Sequence, residues 1–185
     1  MNYYLKRLYY KSFRNKNVFL NKTTVMHKKE LKIIVLEFDS ISEMSETDRE
    51  LILSAREASK NAYAPYSKFQ VGAALILENG ELIKGNNQEN ADFTDGLCAE
   101  RVALFYANAN YPSSKVLSMA VSAKNASGLL QEPAQPCGSC RQVLVETEVR
   151  FNNPIRLILD GAKKIMVVES AESLLPFAFK PDALG

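Results

Sequence analysis

Cys98-Ala99-Glu100-Arg101 and Pro136-Cys137-Gly138-Ser139-Cys140-Arg141 between them hold all three cysteines of this 185-residue chain. Three thiolates can fill three corners of a tetrahedral zinc site and leave the fourth open, which is the arrangement of a catalytic rather than a structural centre. Glu100 stands two residues from the first cysteine, where a carboxylate is placed to move a proton of water at such a centre. The spacing also constrains the fold. Cys137 and Cys140 are three apart, so one helical turn presents both sulfurs on the same side. Cys98 has to come from another element, and the 38 intervening residues leave room for a helix, a strand and a return. Both stretches read as helix starts, where unsatisfied N–H groups and the positive end of the helix dipole stabilise a thiolate.

Working outward, Val102, Ala103, Tyr106 and Ala107 mark the buried face of the helix after Cys98, and residues 141–147 continue the helix after Cys140. A polar loop over residues 86–96 precedes Cys98, and its amide and carboxylate side chains suit either a site wall or a passive connection. Residues 69–77 read as an apolar strand, Asn79-Gly80 as a type I′ turn, and residues 81–84 as the antiparallel return. Residues 45–61 read as a helix, with Thr47-Asp48-Arg49-Glu50 as a capping box and Leu51, Ala55, Ala58 and Ala62 at helical spacing. Residues 31–38 suit a short strand packed on the main domain. Downstream, residues 115–122, 154–159 and 164–168 read as strands and 170–175 as a short helix. That order gives an α/β domain with helices layered against a mixed sheet.

A Cys-x-x-Cys pair also occurs in redox centres and in structural zinc knuckles. A structural zinc needs a fourth ligand, and the only histidine, His27, lies in a lysine-rich stretch before the domain. A redox pair leaves Cys98-Ala99-Glu100 without a purpose. Three thiolates on a zinc ion carry a net negative charge that blunts its Lewis acidity, so a charge-withdrawing group belongs nearby. Arg101 and Arg141, each directly after a cysteine element, are the candidates, as guanidinium donors to the sulfurs.

Charge separates the N-terminus from the rest. Residues 1–25 carry six basic groups and no acidic one, whereas the remainder has 17 basic and 21 acidic residues, a net charge of −4. A body of that sign has no general attraction for a polyanion, which favours a small, nearly neutral ligand over nucleic acid. The N-terminal stretch fits a nucleic-acid arm, a targeting segment or a dispensable extension, and Met26 is a candidate alternative start. Three cysteines make an odd number, no stretch reads as a signal peptide, and no run approaches the ~18 apolar residues of a membrane span. The expected location is the cytoplasm.

Five blocks resemble the short, homo-oligomeric, zinc-dependent cytidine deaminases. They are residues 63–74 (Tyr-Ala-Pro-Tyr-Ser-Lys-Phe-Gln-Val-Gly-Ala-Ala), Gly85 with residues 87–91, residues 98–101, residues 136–142 and residues 174–179. The resemblance implies a three-layer α/β fold with a mixed five-stranded sheet packed between helices. It also implies one domain over residues 28–185, in which 45–185 is the family core, 28–44 an added segment and 1–27 a basic extension. The implied reaction is hydrolytic deamination of cytidine and deoxycytidine, in pyrimidine salvage, with one Zn²⁺ per subunit on Cys98, Cys137 and Cys140. Glu100 relays the proton of the attacking water to N3 and to the departing amine. Asn87 and Glu89 bind the ribose, Phe69 packs on the pyrimidine, and backbone groups near Ala99 and Cys137 orient the exocyclic nitrogen. Phe179 reaches the base in a neighbour's pocket within a homotetramer, with no membrane or nucleic-acid partner.

Two positions depart from the family pattern: Phe93 stands where a tyrosine is usual, and Phe177 where a glycine is usual. The competing readings are a deaminase of another aminopyrimidine nucleoside or of a nucleic-acid base, and a non-catalytic zinc-binding module. The last leaves Glu100 unexplained.

Overall fold

Apolar residues on alternate positions of the central strands face opposite ways, and both faces are buried. In Gln70–Leu77 (β2), Ala73, Leu75 and Leu77 enter one core cluster while Ala74 enters another. Val116–Asn125 (β4) and Arg156–Asp160 (β6) repeat the pattern, sending Met119, Val121, Leu157 and Leu159 to the first cluster and Ala120 and Ile158 to the second. Burial on both faces explains why these strands read as nearly continuous apolar runs. Helix Glu46–Ser59 (α1) covers the second face with Leu51, Ile52 and Ala55; Ala99–Asn110 (α2) and Gly138–Phe151 (α3) cover the first with Ala103, Leu104, Ala107 and Leu144.

The computed structural model describes residues 27–184. The expectations for residues 1–25 lie outside them. The chain divides into units 1–32 and 33–185; in the first, the described residues are exposed, belong to no helix or strand, and Lys28 pairs with Glu30. Within the second unit the remaining strands are Leu36–Phe38 (β1), Leu82–Asn86 (β3), Gly128–Leu129 (β5) and Ile165–Val168 (β7). The sheet order is β1-β7-β6-β4-β2-β3, with β5 paired to β4; β4 and β6 run parallel and the other neighbours antiparallel. The mixed three-layer architecture is as expected, but the sheet has seven strands rather than five. The additions are β1, contributed by the segment before α1, and the two-residue β5. Among the described residues no helix is long and apolar enough to cross a membrane.

Local details differ from the sequence reading for physical reasons. Ser45, not Thr47, caps α1: its hydroxyl accepts from Asp48 N at 3.2 Å. Asp48 is thereby placed to bind Arg156 at 2.7 Å. The β2–β3 turn is not type I′, because only Gly80 takes a positive φ (87°) while Asn79 does not. Gly80 N donates to Leu77 O and Leu77 N to Glu81 O, the pattern of a three-residue loop closed by a glycine bulge. On α2, Tyr106 is exposed and Leu104 is buried in its place.

α1 lies directly on β2 because Gly72 has no side chain. A Cβ there would stand 2.0 Å from Ala55 O and 2.5 Å from Ser59 N, both backbone atoms of α1. Gly72→Ala should therefore lift the helix and cost about 3 kcal/mol, the upper part of the range for overpacking; a urea midpoint equal to wild type would refute this contact as a constraint.

Candidate active site

The strand register brings the start of β2 beside the ends of β3, β4 and β6, since Gly72 faces Asn86 and Ser122, and Ser122 faces Asp160. At this end of the sheet both covering helices begin. Cys98 occupies the N-cap position of α2 and Cys137 that of α3, and neither side chain makes a capping hydrogen bond. The two sulfurs turn toward each other instead, with Sγ atoms of Cys98 and Cys137 3.8 Å apart and those of Cys137 and Cys140 3.4 Å apart. All three lie within 4.8 Å of one another. Two thiolates on a tetrahedral zinc, with Zn–S bonds of ~2.3 Å, stand about 3.8 Å apart. The donor set thus fits zinc.

Electrostatics point the same way. The neighbouring Cys140 thiol, with help from the Arg101 guanidinium and Cys137, holds Cys98 down to about 5. Contact with Cys98, reinforced by burial, pushes Cys140 up. Arg101 donates to Cys98 Sγ at 3.8 Å and to Gly96 O at 3.4 Å, and its buried Nε has no partner among the described residues. A guanidinium with a spare buried donor beside three thiols is suited to hold an anionic metal–thiolate cluster. Arg141 behaves differently from the sequence expectation. It donates to no sulfur, but to Pro136 O at 2.8 Å and Leu174 O at 3.0 Å.

A cavity of about 820 Å³ opens over the cysteines. Cys98, Cys137, Glu100 and Arg101 line it together with Phe69, Asn87 and Glu89. Glu100 is 4% exposed. Burial raises the affinity of its carboxyl for a proton, and the charge of Cys98 adds to the effect. The 86–96 loop does form a wall, stitched by paired hydrogen bonds between Gln88 and Leu97 that set Leu97 directly before Cys98. Phe69 precedes β2 and is half-buried against the cavity, so it is not a core aromatic.

Glu89 is half-exposed and is gripped by the 63–69 turn: Tyr66 N donates to it at 2.9 Å, Ser67 N at 3.3 Å, and the Ser67 hydroxyl at close range. Asn87 uses its amide to bridge the chain beside it, accepting from Val71 N at 2.8 Å and donating to Phe69 O at 2.9 Å. One N–H and one lone pair remain for a ligand. Ala99 is fully buried, with its carbonyl against Gly85 of β3. A Cβ on Gly85 would stand 2.5 Å from that oxygen, so this glycine sets how close Cys98 and Glu100 come to the sheet. Phe179 does not line the cavity; it is 62% exposed.

The residues that sequence reasoning passed over are Tyr66 and Ser67, which fix Glu89, and Gln142, which holds the backbone of Phe179. All three lie inside blocks quoted above. What was missing was the pairing, because each partner is more than 20 positions away.

Residues 45–151 match the family model described as the cytidine and deoxycytidylate deaminase zinc-binding region. The chain belongs to this family. Within it, the chain is 44% identical over 146 residues to a cytidine deaminase of Halalkalibacterium halodurans, covering 75% of this chain and 98% of the relative. A cytidine deaminase of Sporosarcina psychrophila is 36% identical over 136 residues, covering 73% and 93%. The crystal structure of a cytidine deaminase from Burkholderia pseudomallei superposes with a TM-score of 0.62 at 38% identity, covering 74% of this chain and all of that one. The deaminase family match spans α1 through α3 and so includes every cysteine.

Proposed function

We propose that the protein hydrolyses the exocyclic amine of cytidine and deoxycytidine, releasing ammonia and leaving the uracil nucleoside. The observation that carries this reading is buried Glu100 among three converging thiols in a cavity that a fixed carboxylate, Glu89, also lines. Cys98, Cys137 and Cys140 would hold one zinc per subunit. Bound there, zinc supplies Lewis acidity that brings the pKa of water down toward neutrality.

The chain's own groups do the rest. Glu100, whose proton affinity is raised by burial, accepts a proton from the attacking water and delivers it to N3 of the ring; it then takes the second water proton from the hydroxyl on C4 and passes it to the amine, so that the C4 carbonyl forms as the C4–N bond breaks. Arg101 offsets the negative charge of the thiolates. Phe69 packs on the pyrimidine, and backbone groups near Ala99 and Cys137 orient the exocyclic nitrogen. Asn87, with one N–H and one lone pair spare, donates and accepts at the ribose, and Glu89 accepts from its hydroxyls. A carboxylate facing hydroxyls discriminates strongly against ligands that leave it unpaired.

A nucleoside rather than a nucleotide fits this cavity. Among the described residues Arg101 is its only cationic lining residue, and Glu89 repels a phosphate. The acidic body also weighs against a nucleic-acid base as substrate. Residues 28–185 act as one deaminase domain, with 1–27 a dispensable basic extension. Phe179, exposed and outside its own chain's cavity, suits a homotetramer in which the tail completes a neighbour's pocket. The reading extends to a cytoplasmic enzyme of pyrimidine salvage.

Zinc content per chain, followed by the ultraviolet change with cytidine, deoxycytidine, dCMP and a short single-stranded oligonucleotide, tests the proposal. One zinc and turnover of the two nucleosides are expected; turnover of the oligonucleotide alone reverses the substrate class.

The Glu89 environment adds a pH signature. The Ser67 hydroxyl, then the N–H groups of Tyr66 and Ser67, hold its carboxyl below the ordinary 4.5. A lowered value keeps the carboxylate ionised further into acid, so KM for nucleoside should stay flat down through that value. In Ser67→Ala the rise in KM should begin at a higher pH. Coincident KM–pH profiles for the two proteins would remove Ser67 from this task.

A further inference from the structure

Three side chains of α3 hold the C-terminal segment at successive points. Buried Glu148 accepts from Ala171 N at 2.8 Å and Glu172 N at 3.0 Å, at the start of the 3-10 turn Ala171–Leu174. Arg141 takes Leu174 O at 3.0 Å. Gln142 closes a two-point amide contact with the backbone of Phe179, donating to its oxygen at 2.7 Å and accepting from its nitrogen at 3.2 Å. The same helix carries Cys140 and starts at Cys137.

Arg141 has a second grip, on Pro136 O at 2.8 Å, the carbonyl immediately before Cys137. Among the described residues no other hydrogen bond reaches the backbone of residues 132–136. Two of those residues, Pro133 and Pro136, have no N–H to offer. The torsions at Pro136 and Cys137 decide where the Cys137 sulfur points, and that sulfur makes no capping bond that could fix it independently. A guanidinium is a rigid planar fork, so two carbonyls bound to one fork are held at a set separation and angle.

We infer that Arg141 is a positioning residue that couples the C-terminal segment to the cysteine loop, and that Gln142 sets the stance of Phe179 from the same helical turn. Displacing the segment at Leu174 frees one side of the fork and loosens the loop at Pro136. Conversely, a loop released from its metal no longer holds Arg141 in place for Leu174. The C-terminal segment and the metal centre thus report on each other. The inference rests on the reading of the three cysteines as a zinc site.

The test uses full-length zinc-loaded protein, with transfer of zinc to a chromophoric chelator and amide hydrogen exchange over residues 171–180 as readouts. Arg141→Met should speed zinc release by about 10- to 100-fold, the effect of losing an outer-shell partner, and raise exchange at residues 174–179. Arg141→Lys, which keeps one donor, should recover part of both effects. Gln142→Met should raise exchange at Phe179 while leaving zinc release unchanged. Stripping zinc from the wild-type protein should raise exchange at residues 174–179 and leave the amides of β7 as they were; this arm needs no variant to fold. Unchanged protection of the segment after stripping, or wild-type zinc release in Arg141→Met, overturns the coupling. Wild-type protein that takes up no zinc refutes the reading of the site itself, before any variant is compared.

Discussion

Glu100→Gln should retain its zinc and lose kcat by about 10²- to 10⁴-fold, the usual contribution of a positioned acid–base group. The substitution keeps the shape of a side chain that is 4% exposed, so it removes proton transfer with little change in packing. Burial raises the proton affinity of the carboxyl at this position, which is what a group needs in order to take a proton from water and hold it until N3 is ready. Glutamine can do neither. KM should change far less than kcat, because the groups assigned to the ribose and ring, Glu89, Asn87 and Phe69, are untouched. Steady-state kinetics with metal analysis on the same preparation checks the expectation. A variant that deaminates cytidine at the wild-type rate removes Glu100 from the chemistry.

Asp160→Asn should give a large loss of stability. Asp160 ends β6, is 0% exposed, and accepts both donors of Arg56 at 2.8 Å and the Ser122 hydroxyl at 2.7 Å. This arrangement fastens α1 to the face of the sheet opposite the cavity, one position along β4 from Val121, which lines it. Breaking a buried pair from one side costs about 3–5 kcal/mol; the Arg56 side chain is 33% exposed and can recover some hydration, so the lower end, about 3 kcal/mol, is expected. Ser122→Ala, which removes one hydrogen bond, should cost about 1 kcal/mol. Urea unfolding at a fixed free-zinc concentration measures both, since bound metal shifts the apparent stability by mass action. Equal losses in the two variants would mean that the ion pair contributes nothing beyond the hydroxyl contact.

The sequence made the chemistry more legible than its supports. Cys98, Glu100, Cys137 and Cys140 sit in two short stretches whose residue types and spacing imply a metal and a proton carrier, and the helix starts they suggest are where α2 and α3 begin. The nearly continuous apolar runs of β2, β4 and β6 are likewise a local signal. What escaped is non-local. Asp160 meets Arg56 across 104 positions, and Glu89 meets Tyr66 and Ser67 across more than 20. No periodicity announces such pairs. Arg141 shows how adjacency misleads: it follows a zinc-ligand candidate in sequence, yet the helix turns its guanidinium toward two carbonyls rather than a sulfur. The β2–β3 turn failed for a smaller reason, since Asn-Gly suits two turn geometries and only the backbone decides between them.

The short strand β1 bears on the solubility of any trimmed form of the protein. It lies before residue 45, where the family match starts, and it pairs with β7 from Leu36–Val167 to Phe38–Ile165. Val35 packs on one core cluster and Phe38 and Ile41 on the other, so the segment wraps the β7 edge from both sides. Cut back to residue 45, the protein would present the unpaired backbone of an apolar strand, Ile165-Met166-Val167-Val168, as a template for another chain. The added segment is in this sense an edge cover, and a shortened form should self-associate more than the full chain.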